Sequence, residues 1–331
     1  MKIYSDTDAD LAELAGRVVA IIGYGNQGRA QALNLRDSGV TVLVGSIRDD
    51  SFQRATEDGF EPVAIDAAAA RADVVLILIP DEVQPGVYRE QIAPQLVAGN
   101  TVVFAHGYNV RFEQIVAEAG LDVVMVAPRM VGKVVRDLYV QGSGAVAYVG
   151  VHQDATGNAL PTALAIAKGI GATRAAVIEQ SFADETDLDL AMEQVVDAAI
   201  YQVLIAAFET FVENGFDPAV VAMEMYASKE LAETAREMAD IGFFKQMFLH
   251  SQTSQYGSLS RGERALPSSP FKRRMARMLR EIRRGQFARE WAAEQEGDYP
   301  VFERLRDKAL AHPLNQAEAR LKEIVGGTGQ P

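Results

Sequence analysis

Asp189 and Glu193 stand four residues apart in the run Asp187-Leu188-Asp189-Leu190-Ala191-Met192-Glu193-Gln194. On a helix that spacing puts both carboxylates on one face, and Glu185 continues the stripe one turn earlier. Like charges so placed cost a helix about 0.2–0.5 kcal/mol. Such a stripe suits a hard divalent cation, which takes oxygen ligands. It equally suits a solvated acidic face near a helix N-terminus, where the dipole tolerates anions. Glu224, in Val221-Ala222-Met223-Glu224-Met225-Tyr226, is a carboxylate among apolar residues. If buried it needs a counter-charge or a metal; if exposed on a helix it needs neither.

His106 closes the apolar run Val102-Val103-Phe104-Ala105, and Pro80-Asp81-Glu82 and Ala127-Pro128-Arg129 follow similar runs. Open α/β sheets bind their ligands at the carboxyl ends of strands, so His106 is a candidate ligand-site residue, although a structural histidine would fit the same place. Ser251, Thr253, Gln255 and Tyr256 form a polar cluster, suited to a substrate loop or to an ordinary capping turn.

A second kind of chemistry is written at residues 18–28, where Val18–Ile22 runs into Gly23-Tyr24-Gly25-Asn26-Gln27-Gly28. Here Gly23 permits a tight turn, Gly25 lets a pyrophosphate approach the backbone, and Gly28 lets a helix pack close to the strand. Free N–H groups at that helix start favour phosphate. After the next strand, Gly45-Ser46-Ile47-Arg48-Asp49-Asp50-Ser51 holds one cation and two carboxylates. A ribose 2′-hydroxyl wants a carboxylate there; a 2′-phosphate wants Arg and hydroxyl donors.

The elements that must carry these groups alternate. Strands are expected at Val18–Ile22, Val40–Val44, Val74–Ile79, Thr101–Ala105, Val123–Ala127 and Ala145–Val151, with helices between them. Their continuous apolar character predicts a doubly wound parallel sheet, an α/β Rossmann-like domain over residues 1–181. Beyond Ser181 the pattern turns helical throughout, with a break at Asn214-Gly215 and Pro218, giving an all-helical domain over 182–326. Residues 327–331 read as a flexible tail.

Composition bounds the class. The 331 residues are 48% hydrophobic and 23% charged, as in globular proteins. Absence of cysteine excludes disulfides, thiolate metal sites and cysteine nucleophiles. A net charge of −13 argues against nucleic acid or anionic membrane as partner. The basic stretch from Lys272-Arg273-Arg274 to Arg283-Arg284 reads as a solvated face or a subunit contact. No uninterrupted apolar run reaches the roughly 20 residues of a bilayer span, and Met1-Lys2-Ile3-Tyr4-Ser5-Asp6 has no signal-peptide core, so a cytoplasmic protein is expected.

Taken together, these segments resemble the ketol-acid reductoisomerase family in its short bacterial form, from the N-terminus to about Val325. Its most specific pieces are the glycine turn with Ala32-Leu33-Asn34-Leu35-Arg36-Asp37-Ser38-Gly39, then Ile79-Pro80-Asp81-Glu82 and Phe104-Ala105-His106-Gly107-Tyr108-Asn109. Gly169-Ile170-Gly171-Ala172, Asp189-Leu190-x-x-Glu193-Gln194, Ala207-Phe208-Glu209-Thr210 and Tyr256-Gly257 complete them. The resemblance implies cofactor contacts at Gly23, Tyr24, Gly25, Asn26, Gln27, Gly28, Arg48, Asp49, Asp50, Ser51, Pro80, Asp81 and Gly132. It implies magnesium ligands at Asp189, Glu193 and Glu224, a substrate contact at Ser251, His106 beside the nicotinamide, and Arg129 at an active-site position. It also implies a homodimer whose active sites share C-terminal helices of two subunits.

Four positions depart from the family. Ser228 stands where a second glutamate is usual, Arg129 where a lysine is usual, Met130-Val131 where Gly-Pro is usual, and Gln255 where a glutamate precedes Tyr-Gly. A missing ligand predicts at most one well-bound magnesium. Arginine cannot move protons as lysine does. The expected activity is therefore NAD(P)H-dependent reduction of a small polar ketone or imine, with the isomerase step weakened or lost. The alternative is a working reductoisomerase converting 2-acetolactate to 2,3-dihydroxy-isovalerate. In the family the loop after the second strand usually carries serines where Asp49 or Asp50 stands, so NADH is expected over NADPH.

Overall fold

The computed structural model describes residues 1–326; the expected tail, 327–331, lies outside them. The strands are β1 (Ile3–Tyr4), β2 (Val18–Ile22), β3 (Thr41–Gly45), β4 (Val74–Ile77), β5 (Thr101–Phe104), β6 (Asp122–Pro128), β7 (Ala147–Gln153) and β8 (Val177–Glu179). They form one sheet in the order β1-β8-β7-β6-β5-β4-β2-β3. From β3 to β6 the sheet is parallel, and the strand order reverses at β2.

The helices between the strands are α1 (Asn26–Asp37), α2 (Asp50–Glu57), α3 (Ile65–Ala69), α4 (Gln84–Val87), α5 (Tyr108–Arg111), α6 (Gly132–Val140) and α7 (Ala159–Gly169). They cover both faces. Leu35 of α1 and Ile166 of α7 join Val19, Ile21 and Leu76 in one apolar cluster; Ile65 and Ala68 of α3 join Ala20, Ile22 and Val75 in the other. Alternate residues of β2 thus bury themselves on opposite sides, which explains its unbroken apolar sequence. Each such side chain contributes about 1.5–3 kcal/mol by leaving water.

The parallel sheet expected from the sequence is present from β3 to β6 and continues into strands of the opposite direction. Strand β7 runs antiparallel to β6, with a register shift at Val123/Val124, and β1 runs antiparallel to β8. Burial patterns look the same for either strand direction, so the sequence does not distinguish them.

The helical region contains α8 (Phe182–Ala191), α9 (Ala198–Glu213), α10 (Pro218–Ala222), α11 (Glu230–Ile241), α12 (Gln252–Ala265), α13 (Ser268–Arg283), α14 (Gln286–Glu296), α15 (Pro300–Leu310) and α16 (Pro313–Gly326). Asn214 closes α9, and Pro218 opens α10 behind an Asp217 cap. The chain divides into two compact units, Met1–Leu188 and Asp189 onward, and the cut falls inside α8. Phe208, Val221 and Ala317 pack together in the second unit.

Residues Phe182–Glu213 are one 32-residue helix, whose most apolar 18-residue window has a mean hydropathy of 1.7 and is 11% buried. By length and composition it is apolar enough to cross a membrane, although no uninterrupted apolar run within it has the length of a bilayer span. Polar residues such as Gln202 and Glu209 interrupt the run without lowering its average far.

Candidate active site

The glycine turn sits where the strand order reverses. Gly23 has φ +92°, and a Cβ there would lie 2.6 Å from Ile79 Cγ2. A Cβ on Gly28 would lie 2.1 Å from the Gly23 carbonyl oxygen, whereas one on Gly25 meets nothing within 4 Å. Two glycines therefore bring strand, turn and helix together, and the third leaves open space above the start of α1. A Cβ on Gly132 would meet the Asn26 carbonyl at 2.0 Å, so the start of α6 is drawn against the start of α1. Gln27 Nε2 donates to the Met130 carbonyl at 2.8 Å and ties the same two segments.

Other expected cofactor residues hold the scaffold. Tyr24 is buried; its hydroxyl donates to Asp58 at 2.9 Å and its ring packs edge-on against Phe60. Its side chain thus faces the core, and only its backbone belongs to the turn. Asp49 Oδ1 accepts the amides of Ser51 (3.0 Å) and Phe52 (3.1 Å), capping α2. Arg48 lies over the Phe52 ring at 5.6 Å. Asp50 and Ser51 form the first turn of α2, and Pro80 is exposed ahead of α4.

Three neighbouring strand ends supply the polar groups. Asp81 follows β4, His106 follows β5 and Arg129 follows β6. Asp81 Oδ2 lies 2.6 Å from His106 Nδ1. With Nδ1 donating to the carboxylate, the ring is fixed with Nε2 on its other side. Asp81 is itself positioned: Gln84 Nε2 donates to its Oδ1 at 3.1 Å, and Asn109 Nδ2 donates to its carbonyl at 2.9 Å. Asp81, expected as a cofactor contact, therefore orients His106. Tyr108 stacks on that ring at 5.9 Å; burial, with the Asp81 charge second, pushes its hydroxyl up to about 12.

Glu185 is the residue whose part the sequence left undeveloped. It is 1% exposed, accepts the Gly107 amide at 2.9 Å and the Arg129 guanidinium at 3.1 Å. A Cβ on Gly107 would lie 2.6 Å from Thr186 Oγ1, so only glycine lets α8 seat here. Arg129 also lies 5.0 Å from the Tyr148 ring centre, a cation on an aromatic face. One turn further along the same helix is Asp189. His106 and Glu185 thus stand together at the strand ends, joined through the Gly107 amide. The signal for Glu185 was its position four residues before Asp189.

The remaining expected ligands lie further along the chain. Glu193 and Glu224 are exposed, and each lies in a π-helical turn, Met192–Asp197 and Met223–Ala227. Such turns insert one extra residue and occur often at functional sites. Glu224 lines an apolar hollow with Phe211, Phe216 and Val220. Ser251 caps α12 by accepting the Ser254 amide at 3.2 Å, and Ser228 accepts the Glu230 amide at 3.4 Å.

A glycine turn at the switch point of a doubly wound sheet, with an oriented histidine two strands away, defines a nicotinamide-dependent oxidoreductase. Residues 13–176 match the acetohydroxy acid isomeroreductase, NADPH-binding domain, and residues 182–326 match the ketol-acid reductoisomerase, C-terminal domain. The chain belongs to the ketol-acid reductoisomerase family. It is 45% identical over 330 residues to a ketol-acid reductoisomerase (NADP(+)) of Methanopyrus kandleri, with 98% of each chain covered. To that of Pyrobaculum calidifontis it is 44% identical, covering 98% of this chain and 99% of the relative. Among solved structures, an NADH-preferring ketol-acid reductoisomerase from an uncultured archean superposes with a TM-score of 0.93 at 35% identity, covering 98% of this chain and 99% of that one.

Proposed function

We propose that the protein is a working ketol-acid reductoisomerase, converting 2-acetolactate to 2,3-dihydroxy-isovalerate with a nicotinamide cofactor. The observation that carries this reading is the Asp81–His106 and Arg129–Glu185 pairs at neighbouring strand ends, in a chain similar over nearly its whole length to enzymes of that name. Magnesium would be held by Asp189 and Glu193, and when bound it would supply charge to stabilise adjacent oxyanions. The chain's own groups do the rest. Gly25 and the α1 amides take the cofactor pyrophosphate. His106, fixed by Asp81, holds the proton that meets the reduced oxygen from Nε2. Arg129 fixes the Glu185 carboxylate and keeps a permanent positive charge at the β6 end.

Glu224 and Ser251 reach such a site from a second copy, and we read the protein as a homodimer with shared active sites. Supporting this are the apolar and exposed Phe243, Phe244, Phe248 and Leu249 and the sparsely buried helix 182–213, which a second subunit would cover. The domain boundary near residue 181 and the cytoplasmic location belong to the same proposal.

A second reading, reduction of a small polar ketone or imine without the alkyl shift, is favoured by Ser228, Arg129 and Gln255, which change three ionisable groups. The test supplies 2-acetolactate and, separately, the rearranged 3-hydroxy-3-methyl-2-oxobutanoate, with NADH or NADPH and magnesium. Turnover of both establishes the first reading. Turnover of the rearranged acid alone establishes the second, and turnover of neither rejects this pair of substrates.

A further inference from the structure

Three amide side chains, at positions 27, 31 and 34, line one face of α1 and meet the segment that carries α6. Gln27 Nε2 donates to the Met130 carbonyl at 2.8 Å, Gln31 Nε2 donates to Gln27 Oε1 at 3.2 Å, and Asn34 Oδ1 accepts from Arg136 at 2.8 Å. Gln31 is 1% exposed, and its Oε1 is buried with no hydrogen-bond partner among the described residues. The direction of the relay follows from its end. A carbonyl oxygen only accepts, so the Gln27 amide must turn its nitrogen to Met130. Its oxygen then faces Gln31, which must answer with its own nitrogen and leave its oxygen where no described residue donates. A buried acceptor left so works against folding, and a methionine would fill similar space without that cost.

We propose that Gln31 is a positioning residue for the nicotinamide cofactor, acting through Gln27. The relay ends on Met130, in the segment that joins β6 to α6 directly after Arg129. Beside the glycine turn lies a hollow of about 350 Å³, with Gly25 and Asn26 among its lining from α1 and Gly132 and Lys133 from α6. The hydrogen bond from Gln27 to Met130 ties these two sides together. Gln31 fixes which way round the Gln27 amide sits. Without the Gln31 N–H, that amide is free to turn over; a turned amide sets its oxygen against the Met130 carbonyl, and two acceptors part. Gln31 thus holds the width of the hollow that receives the cofactor, at the expense of its own unpaired oxygen.

The test uses the full chain without substrate and reads no turnover. Titration calorimetry measures the Kd of NADH and of NADPH, and a thermal melt follows the ligand-free chain. Gln31→Met should leave the melting temperature equal to or above the parent's, yet weaken both cofactors about tenfold, the size of one hydrogen bond. Gln27→Met should weaken them by a similar factor. Adding Gln31→Met to Gln27→Met should then cost no further affinity, because the two side chains act as one unit. Unchanged affinities in Gln31→Met, whatever its melt, would make Gln31 a structural residue only and overturn the proposal. A tenfold loss that persists in the Gln27→Met background would overturn it too, since Gln31 would then act by another route. A parent that binds neither cofactor would overturn it together with the reading of the glycine turn.

Discussion

Asp81 and His106 meet at 2.6 Å, carboxylate to Nδ1, although 25 residues separate them and they hang from different strands. The pair exists because β4 and β5 are parallel neighbours, with Ile77 opposite Phe104, so that both loops leave the sheet on the same edge. Gln84 then donates to the carboxylate, and Asn109 donates to the Asp81 carbonyl and to Gln84.

Replacing Asp81 by Asn removes the charge that selects the histidine tautomer while keeping the shape. We expect kcat to fall about 10²-fold with KM changed little, the range for losing a positioned proton donor. A thermal melt close to that of the parent would show that the fold is intact. An unchanged kcat would remove His106 from proton transfer.

The cofactor loop sets the second expectation. Asp49 caps α2 in the loop after β3, where a carboxylate suits a ribose 2′-hydroxyl rather than a 2′-phosphate. The parent is expected to favour NADH in kcat/KM. Asp49→Ser keeps a capping oxygen and drops the charge. It should raise kcat/KM for NADPH by about tenfold, the equivalent of about 1.4 kcal/mol. A parent that already prefers NADPH tenfold would contradict the assignment.

Ser228 and Arg129 set the third. In the parent, magnesium titration should find at most one tight site per active centre, because a missing anionic ligand weighs heavily against a cation that dehydrates reluctantly. The double variant Ser228→Glu, Arg129→Lys should bind a second ion and turn over 2-acetolactate faster than the parent. Two tight ions in the parent would show that the serine costs nothing.

Alkaline pH should destabilise the fold in a predictable window. Burial, first among the causes, raises the Tyr108 hydroxyl to about 12, and the same cause raises Tyr24, Tyr88 and Tyr226. In the unfolded chain tyrosine ionises near pH 10. A raised folded value stabilises fully below about pH 10 and less as pH climbs toward 12, because the unfolded chain then holds fewer protons. Melting temperature should therefore fall from pH 9.5 upward, and Tyr108→Phe should lessen the slope. An identical slope in that variant would place the proton release at the other tyrosines.

Much of the molecule was legible in its residues, for physical reasons. The glycine turn could be read because Gly23 and Gly28 sit where a Cβ would collide with backbone or a neighbouring strand. Strands β2, β4, β5 and β6 could be read because burial on both faces leaves polar residues only at their first positions, Thr101 and Asp122. The direction of β7 could not, since either direction buries Ala147 and Val149 alike. Tyr24 was read as a cofactor residue by its place in the motif, yet a strand-following turn sends its ring to Phe60. Glu185 was visible only as a neighbour of Asp189; its importance lies in Gly107 and Arg129, 78 and 56 positions away.

The π-helical turn at Met192–Asp197 carries a consequence for how this sequence tolerates change in length. Each residue of an α-helix turns the chain by about 100°. Deleting one residue from this turn would let the helix from Phe182 to Glu213 close into regular α geometry, an outcome that local hydrogen bonding favours. Because the turn already holds one residue more than α geometry needs, the apolar stripe of α9 would keep its direction, whereas the same deletion from a regular turn of the helix would rotate everything after it by about that angle. Only the residues inside the turn, Glu193 among them, would leave their bearing. Length across six residues is thus as much a part of the site as the identity of its carboxylates.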